Sequence, residues 1–497
     1  MTIFINNQFH YETENLARLF FPNDKISVVR EIPKIKELPF VTALLKENEC
    51  GTKIYVCIEA ENFYECKEKL LDKTCAAEKD IEREMALCLY ELFVKLTGRK
   101  QPWGILTGVR PIKLFRRLSD KYSREYAENY FENKLLVTPE KVRLASVTEG
   151  YEKKILSLNT PMSFSLYISI PFCPSRCSYC SFVSQSIESA QKLTEPYFEK
   201  LLEEIEYTSE LAADCRLRLE SVYIGGGTPT TLSALQLNTL INKVRSSFNM
   251  NTCMEFTVEA GRPDTIDREK LSAIFEGGAD RISINPQTLN DRVLEVIGRK
   301  HTSDQTLKAF ALARETGFTH INTDLIAGLP TETVDSFINT LDILCDLRPE
   351  SITVHTLAMK RSSRLNLQGA SVNTNGEIPA AGMLRYCENK LTQEEYHPYY
   401  LYRQTRMEGN LENVGWAREG YDGLYNVFVM DETHTVIGCG AGAVTKLKKP
   451  LSEELERIFN YKYPYEYING FSEMLNRKER VKSFYAELAE YISQICM

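Results

Sequence analysis

The chain has 497 residues, a net charge of −8, 43% hydrophobic and 26% charged residues. That is the composition of an ordinary globular protein of about two to four domains. Its acidic balance argues against nucleic acid as the main partner, because phosphate binding needs a basic face. The N-terminus MTIFINNQFHYETENL lacks the basic and apolar regions of a signal peptide, and no apolar run is long enough to span a bilayer. The expected setting is cytoplasmic, with no membrane span.

Residues 1–155 read as one α+β region of open role. TIFINNQF and TKIYVCIEA alternate as strands, and IEREMALCLYELFVKLTG is an amphipathic helix ended by Gly98. QPWGILTGVRPIKLFRRL is a loop entering a helix through Pro111. Its Arg110, Lys113, Arg116 and Arg117 form a basic ledge suited to scaffold or to an anionic ligand.

From 163 to 366 the pattern turns regular. FSLYISI, SVYIGG, MEFTVEA, DRISINPQ, HINTDLIAGLP and SITVHTL read as six strands. Helical stretches such as YFEKLLEEIEYTSELAA, LSALQLNTLINKVRSSF and VDSFINTLDILCDL alternate with them. Nearly continuous apolar strands fit a parallel sheet covered on both faces, as a barrel or an open doubly wound sheet. In both, ligand groups collect at the carboxyl ends of strands. The cysteines follow the first strand, GGGTP ends the second, Glu259 ends the third, Gln287 follows the fourth, and Asp324 lies near the end of the fifth. The region 367–497 reads as an α+β extension. PAAGMLRYCENKLTQEEY is its helix, YYLYRQTRM, YNVFVMD and THTVIGCGAGAVTKL are strands or connections, and helices resume near 451 and from 471 to 493.

CPSRCSYC places Cys173, Cys177 and Cys180 within eight residues. Thiolates are soft ligands for zinc or for iron–sulfur clusters. Zinc wants a fourth protein ligand, which Cys215, Cys253 or a histidine would have to supply. Three thiolates on a cubane cluster leave one iron open to a small molecule. Cys50, Cys57, Cys66, Cys75, Cys88, Cys215, Cys253, Cys345, Cys387, Cys439 and Cys496 share no spacing and read as packing residues. The glycines of GGGTP lack the spacing of a P-loop or dinucleotide fingerprint. They let backbone approach a ligand closely.

CxxxCxxC with Tyr179 before its last cysteine resembles the signature of radical S-adenosylmethionine (SAM) enzymes. YISIPFCPSRCSYCSF, YIGGGTPT, FTVEAGRPD, RISINPQTLNDRVLEVIGR and NTDLIAGLP resemble the oxygen-independent coproporphyrinogen III oxidase superfamily. PWGILTGVRP, YYLYRQTRMEGNLENVG and GCGAGAVTK resemble its HemZ-type coproporphyrinogen dehydrogenases. The resemblance implies a partial (β/α)6 TIM-like barrel between an N-terminal α+β domain and a C-terminal substrate-side extension. It implies a 4Fe–4S cluster on Cys173, Cys177 and Cys180, with SAM on the open iron. It also implies SAM contacts from Tyr167, Tyr179, Gly226, Gly227, Thr228, Glu259, Gln287, Arg299, Asp324 and Leu357. The implied reaction converts two propionates of coproporphyrinogen III to vinyl groups, in haem and porphyrin biosynthesis. A flavodoxin or ferredoxin is the implied electron donor.

A substrate with four propionates wants cations near the mouth, and Lys360, Arg361, Arg364, Arg403 and Arg406 are the candidates. His355 and His397 read as structural histidines. Two departures bear on the substrate. Phe182 stands where coproporphyrinogen oxidases of this kind carry a further cysteine, and Ser169 where they carry a histidine. Relatives with such departures include haem chaperones, so a haem-binding protein and a radical SAM enzyme acting on another tetrapyrrole remain the alternatives.

Overall fold

The structure is a computed structural model. It describes residues 1–34, 36–72, 77–182, 184–360, 363–367, 378–450 and 452–495, without the side chains of residues 366, 367 and 489–495. The chain divides into two compact units: residues 1–147 with 370–378 and 402–412, and residues 148–369 with 379–401 and 413–497. Most of the expected C-terminal extension therefore belongs to the barrel's unit, and 402–412 to the N-terminal one.

In the first unit the strands Ser27–Val29, Thr2–Ile5, Phe40–Asn48, Gly51–Ala60 and Phe63–Asp72 form one sheet in that order. The helix Glu78–Thr97 ends where Gly98 adopts the left-handed conformation, as the sequence predicts. Lys67, Lys69 and Lys95 pair with Glu91, Glu84 and Glu65, tying this helix to one face of the sheet. Cys57 and Cys66 correct the expectation of separate packing cysteines. They are direct cross-strand partners and form a disulfide. Cys50 is exposed rather than packed, and Cys75 and Cys496 lie outside the described residues. Pro111 opens the helix Pro111–Lys121, where its missing N–H costs no hydrogen bond.

The segment 402–412 corrects a second expectation. Arg403 is buried, donating to the Leu106 carbonyl (2.7 Å) and the Asn410 carbonyl (3.1 Å), with its guanidinium 5.7 Å from the Trp103 ring centroid. Glu412 accepts from Trp103 Nε1 at 2.8 Å and pairs with Lys141. Arg403 is thus buried inside the first unit, with both terminal nitrogens given to backbone carbonyls. Arg406 belongs to the same segment.

The second unit is built on an eleven-stranded sheet. Ser163–Ile170, Arg218–Gly226, Glu255–Gly261, Arg281–Ile284, Ile321–Ala327 and Ser351–Thr356 lie side by side in chain order and are all parallel. Asn413–Ala417 joins the sixth strand antiparallel, with His397–Tyr402 beyond it. At the other edge Thr435–Cys439 runs parallel to the first strand, followed by Val444–Lys448 and Leu455–Phe459. The order runs from edge to edge, so the six-stranded barrel is partial.

Two extension elements differ from expectation. YNVFVMD forms the helix Leu424–Asp431, because the Glu255 carboxylate accepts the N–H groups of Leu424 (2.7 Å) and Tyr425 (3.3 Å) at its start. The helix expected near 451 is the strand Leu455–Phe459, held by its antiparallel neighbour.

GCGAG closes the strand Thr435–Cys439 and turns out of it at Gly440, where a buried carboxylate holds it. Glu204, on the helix Ile187–Asp214, is fully buried. It accepts from Gly440 N (2.7 Å), Asn460 Nδ2 (2.8 Å) and Tyr467 Oη (2.5 Å), and pairs with the equally buried Lys478 at 2.6 Å. Lys478→Met is expected to destabilise the protein by about 3–5 kcal/mol, because it leaves a buried carboxylate without its counter-charge. An unchanged melting temperature would contradict this. No helix among the described residues is long and apolar enough to cross a membrane.

Candidate functional site: a cysteine loop at the barrel mouth

Parallel pairing sets Ser169 opposite Gly225 and Ile170 opposite Gly226, so the first two strands end together. The cysteine loop leaves the first strand there and GGGT leaves the second. Gly227 N–H donates to the Ile170 carbonyl (2.7 Å) and Thr228 N–H to the Phe172 carbonyl (2.8 Å). A Cβ on Gly227 would stand 2.5 Å from the Phe172 carbonyl oxygen and 2.9 Å from Cys173 Sγ. Gly226 has φ of +111°, which a side chain rarely tolerates. These glycines are therefore required for the cysteine loop itself to pack. Thr228 Oγ1 reaches Cys173 Sγ at 3.6 Å.

The far side of the loop is pinned to the turn after the helix Asp291–Val296. Ser178 N–H donates to the Ile297 carbonyl (2.9 Å) and Ser175 Oγ to the Gly298 carbonyl (3.1 Å). Beyond the sixth strand, Leu365 N–H donates to the Ser178 carbonyl at 3.0 Å. Tyr179 and Leu357 pack on the apolar cluster of Val293, Leu294, Ile297, Ile326 and Leu329. The Tyr179 hydroxyl accepts from Arg299 Nη2 (3.1 Å) and Nε (3.3 Å), and Arg299 Nη1 donates to the Asn285 carbonyl (2.5 Å).

Inside the barrel, Glu259 accepts from Asn285 Nδ2 at 3.3 Å. Burial, then the charge of Asp324, pushes its carboxyl up to about 8, so it holds a proton near neutrality. Asp324 is half-buried, yet its pKa is lowered. The neighbouring His355, the Asn322 amide and Thr353 favour the charged form by more than burial disfavours it. Asn322 Nδ2 donates to it at 2.9 Å, and His355 Nε2 is 3.8 Å away. Gln287 has φ of +73° and clasps the fifth strand, its N–H donating to the Asp324 carbonyl (3.0 Å) and its carbonyl accepting from Ile326 N (3.1 Å). Tyr167 stacks 6.3 Å from Tyr223, whose ring is 4.5 Å from that of Tyr425. Burial and the charge of Glu259 push the Tyr167 hydroxyl well up.

The sequence-predicted residues thus gather at one end of the sheet. Their companions Tyr223, Asn285, Asn322, Arg262 and Tyr425 were not predicted. Tyr223 shares the inward side of its strand with Gly225, a signal available from period-two alternation. Tyr425 had none, since its helix is placed by Glu255. His355, expected to be structural, stands beside Asp324. Of the proposed cations after the sixth strand, Lys360 is half-buried, Arg364 is exposed, and Arg361 lies outside the described residues.

Among the described residues, no group of three or more His, Cys, Asp or Glu side chains is arranged to hold a single metal ion. A lone zinc needs its sulfurs about 2.3 Å from one point, so the zinc reading finds no geometric support. A cubane asks for something else, because each thiolate binds a different iron. The thiol set at the loop fits that donor chemistry. The glycine cradle and the paired carboxyls Glu259 and Asp324 fit a ligand that brings ammonium and hydroxyl donors.

Comparison with known proteins agrees with this geometry. The radical SAM superfamily profile matches residues 167–344. The oxygen-independent coproporphyrinogen-III oxidase-like protein HemZ of Bacillus subtilis is 32% identical over 99% of this chain and 97% of its own. The haem chaperone HemW of the same organism is 32% identical over 52% of this chain and 69% of its own. The solved coproporphyrinogen III oxidase HemN of Escherichia coli, a radical SAM enzyme, superposes with a TM-score of 0.51. It is 24% identical, over 65% of this chain and 72% of that one, and shares the fold. The chain belongs to the radical SAM superfamily and, within it, to the oxygen-independent coproporphyrinogen III oxidase-like family. That membership implies an enzyme using a 4Fe–4S cluster and SAM.

Proposed function

We propose that this protein carries out the SAM-dependent, oxygen-independent oxidative decarboxylation of two propionates of coproporphyrinogen III, giving protoporphyrinogen IX. The observation that carries the reading is the likeness to the oxidase-like HemZ along nearly the whole of both chains. The likeness to HemW covers about half of this one.

In this reading Cys173, Cys177 and Cys180 hold the cluster. Once bound, the cluster and SAM would supply the radical chemistry that abstracts hydrogen from a propionate β-carbon, with a one-electron acceptor taking up the electron released with carbon dioxide. The protein's part is position and exclusion of water. Gly226 and Gly227 bring backbone close to the cysteine loop. Glu259, Gln287, Arg299 and Asp324, with Tyr167, Tyr179, Thr228 and Leu357, orient SAM. The stacked rings of Tyr167, Tyr223 and Tyr425 form an aromatic wall on the barrel's inner side. A flavodoxin or ferredoxin delivers the electron that starts each turnover.

Lys360 is the substrate cation best supported. It follows the sixth strand on the stretch that returns to the cysteine loop at Leu365, and burial lowers its pKa. Among the described residues it has no acidic partner. A propionate there would offset the cost of burying its charge. Lys360→Met is expected to raise the KM for coproporphyrinogen about 10–100-fold, the worth of one charged hydrogen bond, and to leave SAM affinity unchanged. An unchanged KM would remove Lys360 from the substrate site.

A second reading, haem binding, is supported by the likeness to HemW and by Phe182, which is 64% exposed where the oxidases carry cysteine. Stoichiometric haem binding with no conversion of coproporphyrinogen would favour it.

A further inference from the structure

The donors around the three thiols are unequal. Cys173 faces the Thr228 hydroxyl at 3.6 Å, and Cys180 meets the backbone at Phe182. Cys177, 8% exposed, instead faces guanidinium: Arg262 Nη1 stands 3.8 Å from its sulfur and 3.1 Å from Ser175 Oγ. Arg299, whose donors go to Tyr179 and the Asn285 carbonyl, adds a second positive charge nearby. Arg262 is 3% exposed, and burying a charge so fully is costly unless its donors are used. Its other edge is spent on Asp264, which accepts from Nε (2.9 Å) and Nη2 (2.9 Å) in a two-pronged grip. His301, also buried, lies 4.0 Å from Asp264 on the far side. Gly261, with φ of +58°, turns the chain so that Arg262 points back to the loop.

We infer that Arg262, locked by Asp264, is a positioning residue that raises the reduction potential of the cluster bound at Cys177. The inference rests on the three cysteines being the cluster ligands. A positive donor on a ligating sulfur draws off charge and favours the reduced, more negative cluster. The step is a one-electron reduction by an external donor of the flavodoxin or ferredoxin kind. Asp264 limits the effect by partly neutralising the guanidinium, and asparagine in its place would keep an acceptor for the same side chain.

The test uses the full chain, reconstituted anaerobically with iron and sulfide and titrated with dithionite and mediators while the reduced cluster is followed by electron paramagnetic resonance. Arg262→Gln is expected to make the cluster about tenfold harder to reduce, a shift of ~59 mV to lower potential. Arg262→Lys, which keeps the charge without the fork, should recover part of it. Asp264→Asn, which leaves the guanidinium uncompensated, should shift the potential upward. A full iron complement with an unmoved potential in Arg262→Gln would overturn the inference. If that variant holds no cluster, Asp264→Asn decides: a rise supports the inference, and no rise overturns it. Loss of iron from all three variants would make Arg262 a structural brace and overturn it too. A wild-type chain that takes up no 4Fe–4S cluster would instead overturn the ligand assignment beneath it.

Discussion

Replacing Cys177 by alanine is expected to leave a folded barrel that binds no cluster and forms 5′-deoxyadenosine at background rate. The loss is on the order of 10³-fold or more, at least about 4 kcal/mol of barrier. The fold should survive because the loop's anchors lie elsewhere. Ser178 and Ser175 hold it to Ile297 and Gly298, and Gly227 and Thr228 hold its start. The electron for SAM cleavage has no other source, so partial activity is not expected. The checks are iron content, the brown absorbance of the reconstituted protein, and 5′-deoxyadenosine by mass spectrometry. Iron retained at wild-type level in Cys177→Ala would remove Cys177 from the ligand set.

Glu259→Gln is expected to do two opposite things. Folding raises the Glu259 pKa from 4.5 to about 8, so the folded state prefers the protonated form. The group's contribution to stability is complete below its ordinary pKa. It declines as pH rises from 4.5 and is lost once pH passes 8, where the buried carboxylate must charge beside Asp324. Glutamine never charges. The variant should match the wild type near pH 5 and be more stable by about 3–5 kcal/mol near pH 8. SAM affinity should fall by about 10–100-fold, because an acceptor for its donors is gone. A residue that weakens the ligand-free fold while strengthening ligand binding is the expected signature of a binding site. Equal melting temperatures for both proteins at pH 5 and pH 8 would contradict the account of Glu259.

The barrel was readable because its strands are apolar and regularly spaced, and because the chemistry stands at their ends. CPSRCSYC, GGGTP, Glu259, Gln287 and Asp324 each follow or close a strand that the structure contains. Features fixed by distant partners were not readable. YNVFVMD has a strand's composition, yet it is helical because Glu255, far back in the chain, accepts its first N–H groups. The Cys57–Cys66 disulfide depends on the register of two strands, which composition does not encode. Arg403 looks like a mouth cation in sequence, but the Leu106 and Asn410 carbonyls take its terminal nitrogens in a buried setting. His355 reads as a structural histidine, and only the fold shows Asp324 beside it. Arg262 sits in a recognised motif, FTVEAGRPD, but only the fold brings it to Cys177.

The central claim is tested most directly by following the porphyrinogen itself. The reconstituted, reduced protein is given SAM and coproporphyrinogen III without oxygen, and the products are followed by mass spectrometry. Two successive losses of carbon dioxide, each matched by one 5′-deoxyadenosine, are the predicted result. Formation of 5′-deoxyadenosine with coproporphyrinogen III unchanged would contradict the proposed substrate while leaving the radical SAM core in place.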